Sequence, residues 1–198
     1  MATSSATGDI LTPLNDPNHP VLEDDELLRF LQPWLVALVE LPETMVRPAK
    51  PQTEPANIPP SSVDWISFCI KESDPDTYGA ELHVAGANSY NELRRHEEIR
   101  FLLTAYGPKA RGYMQKLRDG MQIAQNREFL SLNAMGLKET GRIVQFPEFL
   151  KAQWYNRCDM EMIIKRQVIR KYGVETIASA HGVLNNEKYE TQLSVEEE

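Results

Sequence analysis

Apolar residues recur at three- and four-residue steps in some stretches of this chain and at two-residue steps in others, a mixture that predicts helices packed on strands. Glu23, Asp24, Asp25 and Glu26 place negative charge where a helix start favours it, and Leu27, Leu31, Trp34, Leu35 and Leu38 follow at helical spacing. Pro33 lies inside that pattern and predicts a kink, or a short turn followed by a second helical segment starting near it. A second helix opens at Pro108 and carries Ala110, Tyr113, Met114, Leu117, Met121 and Ala124 on one side. Gly112 and Gly120 each cost it about 1 kcal/mol in propensity, which predicts close packing against another backbone at both points. The following NREFLSLNAMG predicts a short helix ending at Gly136.

The strand signals are of a different kind. In VDWISFCI, Ile66, Phe68 and Ile70 point one way while Val63, Trp65 and Cys69 point the other, which predicts a strand with two largely apolar faces. Ser73, Asp74, Pro75 and Asp76 read as a turn into AELHV, with Leu82 and Val84 on one face, so the two runs together predict an antiparallel hairpin. Residues 91–106 read as a charged helix by propensity, but Glu97, Ile99, Phe101, Leu103 and Ala105 alternate, and strand is the reading adopted. A turn at Thr140 and Gly141 joins two short extended pieces. DMEMIIKRQVIRKYGV fits both periods, and its β-branched Ile163, Ile164, Val168 and Ile169 favour a strand. The expected fold class is α+β, a mostly antiparallel sheet of about four to six strands packed by two or three helices, with an extended N-terminal arm.

Proline and charge set the expected organisation: a flexible arm over 1–22, a single α+β domain over 23–184 that includes an extended proline-rich segment at 44–60, and an acidic tail over 185–198. Eleven of the 13 prolines fall in the first 75 residues, and Pro48, Pro51, Pro55, Pro59 and Pro60 exclude a helix from the extended segment. The net charge of −8 comes from the ends, because residues 61–186 hold 17 basic and 15 acidic groups. That balance argues against a dedicated binder of nucleic-acid backbones. Cys69 and Cys158 alone make neither a zinc knuckle nor a secreted disulfide framework, no apolar run reaches membrane-spanning length, and MATSSATGD lacks the features of a signal peptide. The expectation is a soluble, intracellular protein with no membrane partner.

Chemical motifs are sparse. His19, His83, His96 and His181 share no ligand spacing with each other or with cysteine, and the phosphate-cradling and nucleophile-elbow motifs are missing, so no catalytic, cofactor-binding or metal residue is expected. Glu97 and Glu98 beside His96 read as a solvated charged edge, because neighbours on a strand point to opposite faces and cannot converge on one atom. Cys69 reads as a small core residue, and Cys158 as structural although Arg157 beside it mildly favours its thiolate. Trp65 fits the core better than an interface, whereas Trp154 fits both equally. The most basic stretch, Arg157, Lys165, Arg166, Arg170 and Lys171, is diluted by Asp159 and Glu161 and predicts contacts with acidic neighbours, which in an oligomer could belong to the next subunit.

The order MVRP, then Gln52, Glu54, Pro55, Asn57, Ile58 and Pro59, then VDWISF resembles the neck or tail terminator proteins of tailed bacteriophages. YGPKA at the long helix, LRDGMQIAQNRE through its second half, Trp154 with RCDM, and RKYGV at the end of the last strand agree, so the likeness spans residues 44–178. Ala49 and Lys50 depart from the pattern, and 1–22 and 185–198 lie outside it. The resemblance implies a non-enzymatic virion protein, a homo-oligomeric ring of about six copies that caps the tail tube and joins it to the connector or head-completion proteins, with DNA passing through the lumen without specific binding. Candidate contacts between copies are Arg47, Gln52 and Asn57 in the extended segment, Arg94, Arg95, Glu97 and Glu98 in the charged strand, and Trp154, Arg157, Arg166, Arg170 and Lys171 near the end. The rival reading is an RNA-binding capsid subunit of a flexible filamentous virus, which needs a basic groove.

Overall fold

The computed structural model describes residues 10–17, 20–49, 58–86, 89–150, 152–174, 179–186 and 189–196. Its elements in chain order are α1 (Asp24–Val39), a 3-10 turn (Glu43–Met45), β1 (Val46–Pro48), β2 (Trp65–Pro75), β3 (Ala80–Val84), β4 (Tyr90–Tyr106), α2 (Ala110–Gln122), α3 (Ala124–Ser131), β5 (Met135–Thr140), β6 (Val144–Leu150), β7 (Gln153–Gly173), β8 (Ser179–Asn186) and β9 (Tyr189–Glu196). The first seven strands form one mixed sheet in the order β1-β2-β4-β7-β5, with β3 on β4 and β6 on β7. β1 runs parallel to β2, while β2 and β3 are antiparallel to β4 and β5 and β6 antiparallel to β7. The α+β class is therefore observed, with more strands than expected because short edge strands flank the two long ones.

The chain divides into two compact units, and the larger comprises residues 21–79 and 95–168. Its core forms where one face of the sheet meets the helices. Strand alternation turns Ile99, Phe101, Leu103 and Ala105 of β4 inward, as the sequence predicts, together with Cys158, Met160, Met162 and Ile164 of β7, and it also buries Glu97, which the sequence reading placed on a solvated edge. α1 contributes Leu27, Leu31, Trp34, Leu35 and Leu38, and α2 contributes Ala110, Met114, Leu117 and Met121. The helices join through the Trp34 indole, which donates to the Asn126 carbonyl at 2.7 Å, and through Phe30 stacked on Phe129 at 4.9 Å.

Several expectations need correction. α1 runs as one segment through Pro33 and ends in the left-handed Glu40 (φ 58°), whose N–H donates to the Val36 carbonyl. A mid-helix proline costs about 3 kcal/mol, which the burial of Leu27, Leu28, Leu31, Leu35 and Leu38, at roughly 1.5–3 kcal/mol each, together outweighs. Ser73–Pro75 belong to β2 and the turn follows them, while the hairpin joins β3 to β4, with Ala80 opposite Arg94 and Val84 opposite Tyr90. β2 pairs with the later part of β4, Trp65 opposite Tyr106, because that register buries Ile66 and Phe68 against the helices. α2 starts after Pro108, at Ala110. A side chain at Gly112 would meet nothing within 4 Å, and one at Gly120 would meet the Leu38 side chain at 3.0 Å, so neither glycine admits a second backbone. α3 ends at Ser131 rather than Gly136, since Ala134 turns left-handed (φ 54°) and delivers Met135 and Gly136 to β5. β7 begins at Gln153, earlier than the pattern from Asp159 predicts, because the hairpin with β6 extends it.

The smaller unit comprises residues 1–20, 80–94 and 169–198. Of the expected arm, residues 1–9, 18 and 19 lie outside the described residues, but Pro13 bridges Tyr172, the Leu14 N–H donates to the Lys171 carbonyl at 2.7 Å, and Asp16 pairs with Lys171 at 2.8 Å. Those contacts hold residues 13–16 to the end of β7. β8 and β9 pair as an antiparallel hairpin, with Ser179 opposite Glu196 and Asn186 opposite Tyr189, so that β9 falls within the expected acidic tail over 185–198.

Candidate assembly surfaces

The face of the sheet turned away from the helices carries a row of side chains across five strands of the larger unit. Alternation sends Trp65, Tyr106 and Arg157 to this side, and the registers Trp65–Tyr106 and Phe146–Arg157 bring them level. Arg47 lies over the Trp65 ring at 5.3 Å, Trp65 stacks on Tyr106 at 4.4 Å, and Arg157 lies 5.9 Å from the Tyr106 ring and 4.9 Å from Phe146. Each cation–π contact contributes about 0.5–1 kcal/mol at a surface and more when desolvated. Tyr155 meets Tyr106 edge-on, and its hydroxyl donates to the Pro59 carbonyl at 3.0 Å, tying the end of the proline-rich segment to this face. Burial pushes the Tyr106 phenol up to about 12.

Arg157 is fully engaged within its own chain. Its Nε and Nη2 donate to the two Asp159 oxygens at 2.9 and 2.8 Å, and Nη1 donates to Glu148 at 3.0 Å. The hydrogen bond to Asp159 raises its pKa above the ordinary arginine value. Arg166, Glu97 and Arg95 form a second cluster: Glu97 accepts from Arg166 at 2.5 Å and from Arg95 at 3.0 Å, and Arg166 also donates to the Leu22 carbonyl at the start of α1. Glu98, pointing the opposite way on β4, pairs with Lys138. A further network joins Glu161 to Lys71 and Arg100, whose hydrogen bonds hold its carboxyl below the usual range.

The sequence-derived interface residues therefore separate into groups. Arg47 and Arg157 belong to the aromatic row, Arg95, Glu97 and Arg166 to the buried cluster. In the smaller unit, Arg94 is exposed and pairs with Glu92, Lys171 pairs with Asp16 and lies over the Tyr90 ring, and Arg170 is half-buried. Trp154 is 66% exposed at the tip of the β6–β7 hairpin, with Phe149, itself 57% exposed, beside it at 5.1 Å. Gln52 and Asn57 lie outside the described residues.

Two features escaped the sequence reading. Phe149, which completes the exposed aromatic pair, had no periodic signal because it sits on a short edge strand. Lys109, Arg111, Arg118 and Arg127, in a stretch over 109–131 that holds five basic and two acidic residues, have no carboxylate partner among the described residues. A charge count for each predicted helix would have found them.

Nothing in these surfaces amounts to an acid–base pair aimed at a common point. Burial raises both thiols, Cys69 and Cys158, away from the reactive thiolate, so Arg157 does not favour the Cys158 thiolate as its sequence neighbourhood suggests: Cys158 is fully buried in the core. Among the described residues no group of three ligand-type side chains could hold a metal ion.

No curated protein matches the chain. A family model described as phage neck terminator protein matches residues 25–188, a span that takes in all three helices, the whole seven-stranded sheet and the strand β8. With most of its length and every layer of its fold inside that match, the chain belongs to the phage neck terminator protein family.

Proposed function

We propose that this protein closes into a ring of about six copies at the junction of head and tail, terminating the tail tube and joining it to the connector or head-completion proteins while DNA passes through the centre. Family membership makes it a structural protein of the phage neck that works among other tail and head proteins, and that membership carries the proposal. It gives no support to an RNA-binding filamentous capsid. The surfaces agree with the ring in physical terms. A hairpin tip bearing two exposed aromatic rings suits a partner pocket, and a sheet with helices on one face leaves the other for contact.

Among the residues suggested by the sequence, Trp154 is best placed to meet another copy or a neighbouring neck protein, followed by the exposed Arg94. Arg166 and Glu97 serve the fold of the subunit first. Assembly occurs in the host cytoplasm before the particle is released. The test is native mass spectrometry of the full chain, with and without nuclease treatment. One closed oligomer free of nucleic acid is expected, and a ladder of sizes that carries nucleic acid would overturn the proposal.

A further inference from the structure

The helical layer of the larger unit has an acidic end and a basic end. α1 starts with Glu23, Asp24, Asp25 and Glu26, all exposed. At its other end Glu40 pairs with Lys116 of α2 at 2.7 Å, a hydrogen bond that lowers the Glu40 carboxyl. From there α2 and α3 retrace α1 backwards, since Gly120 lies beside Leu38, Asn126 bonds Trp34, and Phe129 stacks on Phe30. The residues of α2 before Lys116 therefore lie at the Glu40 end, and α1, at 1.5 Å per residue, sets the two ends about 24 Å apart. Arg111 is exposed there with Lys109 just before it, Arg118 is exposed between the Lys116–Glu40 pair and Gly120 beside Leu38, and none of the three has a carboxylate partner among the described residues. This contrasts with Arg157, Arg166 and Lys171, whose charges are answered inside their own chain.

We propose that the basic end of this layer, Arg111 and Arg118, receives the acidic start of α1, Asp24 to Glu26, from a second copy of the chain. The two patches differ and lie at opposite ends of one rigid layer, so the contact is head-to-tail, the kind that repeats around a ring until it closes. Opposite charges across such a contact orient the encounter and reject the reverse pairing, in which like ends would meet. The wider charge distribution favours a protein partner over DNA, since an unneutralised basic face on a DNA path would hold phosphates rather than let them slide. This contact rests on the ring reading, and the experiment separates the two.

Sedimentation of the full chain is followed at low and high salt for the wild type, R111E/R118E and D24K/E26K, singly and mixed, with circular dichroism to verify folding. The wild type is expected to self-associate less at high salt, and each variant about tenfold more weakly or worse, while the mixture of the two variants recovers association because every junction then pairs opposite charges. D24N/E26Q, which leaves the helix start free of added positive charge, is expected to weaken association in the same direction. If R111E/R118E associates like the wild type, or the mixture fails to recover, the contact is wrong while the ring stands. If duplex DNA binds the wild type and this binding alone is lost in R111E/R118E, the face belongs to DNA and the contact is overturned. If neither the wild type nor the mixture associates at any salt concentration, both the contact and the ring reading fall.

Discussion

Arg166 on β7 donates through Nε to Glu97 on β4 at 2.5 Å, between side chains only 7% and 4% exposed. The pair sits at the margin of the apolar core, in line with the rows that run through Met162 and Ile164 on one strand and Ile99 and Phe101 on the other. Its consequence is that Arg166, like Arg157 and Lys171 of the same basic stretch, is answered inside the chain, while Lys165 stays exposed. Sequence proximity grouped those cations; the fold distributed them among separate carboxylates.

Removing one partner should reveal the cost of the other. Arg166→Met leaves a buried carboxylate with Arg95 as its remaining counter-charge, and is expected to destabilise the protein by about 3–5 kcal/mol. The double variant R166M/E97L removes both charges and should cost less than the single one. Urea unfolding of both singles and the double checks this, and a double variant worse than either single would contradict it.

The exposed aromatic pair should behave in the opposite way. Trp154→Ala and Phe149→Ala remove side chains that are 66% and 57% exposed, so the stability of the isolated subunit should change by less than about 1 kcal/mol. If the hairpin tip is an anchor, association of Trp154→Ala should weaken about tenfold or more. Trp34→Ala, which removes a core indole and its bond to Asn126, should instead lower the melting temperature strongly, by way of a cavity worth about 3–5 kcal/mol.

Tyr106 predicts an alkaline limit. Its folded pKa, about 12, stands above the ordinary 10, so the folded state keeps a proton that the unfolded state releases. Its contribution to stability is present in full below pH 10 and is lost as pH rises towards 12. Melting temperatures measured across that range should fall for the wild type and fall less for Tyr106→Phe.

Two glycines should respond in opposite directions. Gly107 has φ +112°, and an added Cβ would lie 2.5–2.7 Å from Asp64, whose carboxylate accepts the Lys109 N–H at the entry to α2. Gly107→Ala is expected to cost about 2 kcal/mol or more. Gly112 lies inside α2 facing open space, so Gly112→Ala should add about 0.5–1 kcal/mol. Thermal unfolding of the two variants side by side tests both.

The registers in the sheet account for what could and could not be foreseen. The alternation Glu97, Ile99, Phe101, Leu103 and Ala105 outweighed a helical propensity because a strand buried on one face imposes a period of two, and that period is visible locally. The pairing of β2 with the late part of β4 rather than with β3 was hidden. Local turn chemistry at Ser73–Asp76 suggested a hairpin, but the choice of partner depends on which register buries Ile66 and Phe68 beneath the helices. Pro33 was misjudged for a similar reason: its local penalty is plain in the sequence, and the buried leucines on both sides that outweigh it are a tertiary quantity.

By itself the sequence determined the α+β class, the two amphipathic helices, a long strand over 91–106 and another from Asp159 onward, and, through the order of its short motifs, the terminator family. These are properties of periodicity and of residue order, which each segment carries wherever it packs. Only the tertiary structure decided which charges meet. Arg157 finds Asp159 and Glu148, Arg166 finds Glu97, and Arg111 and Arg118 are left facing outward at one end of the helical layer. Electrostatic pairing falls off over a few ångströms of space and not over residues of sequence, so the surface available to a neighbour emerges only once the sheet registers and helix packing are in place.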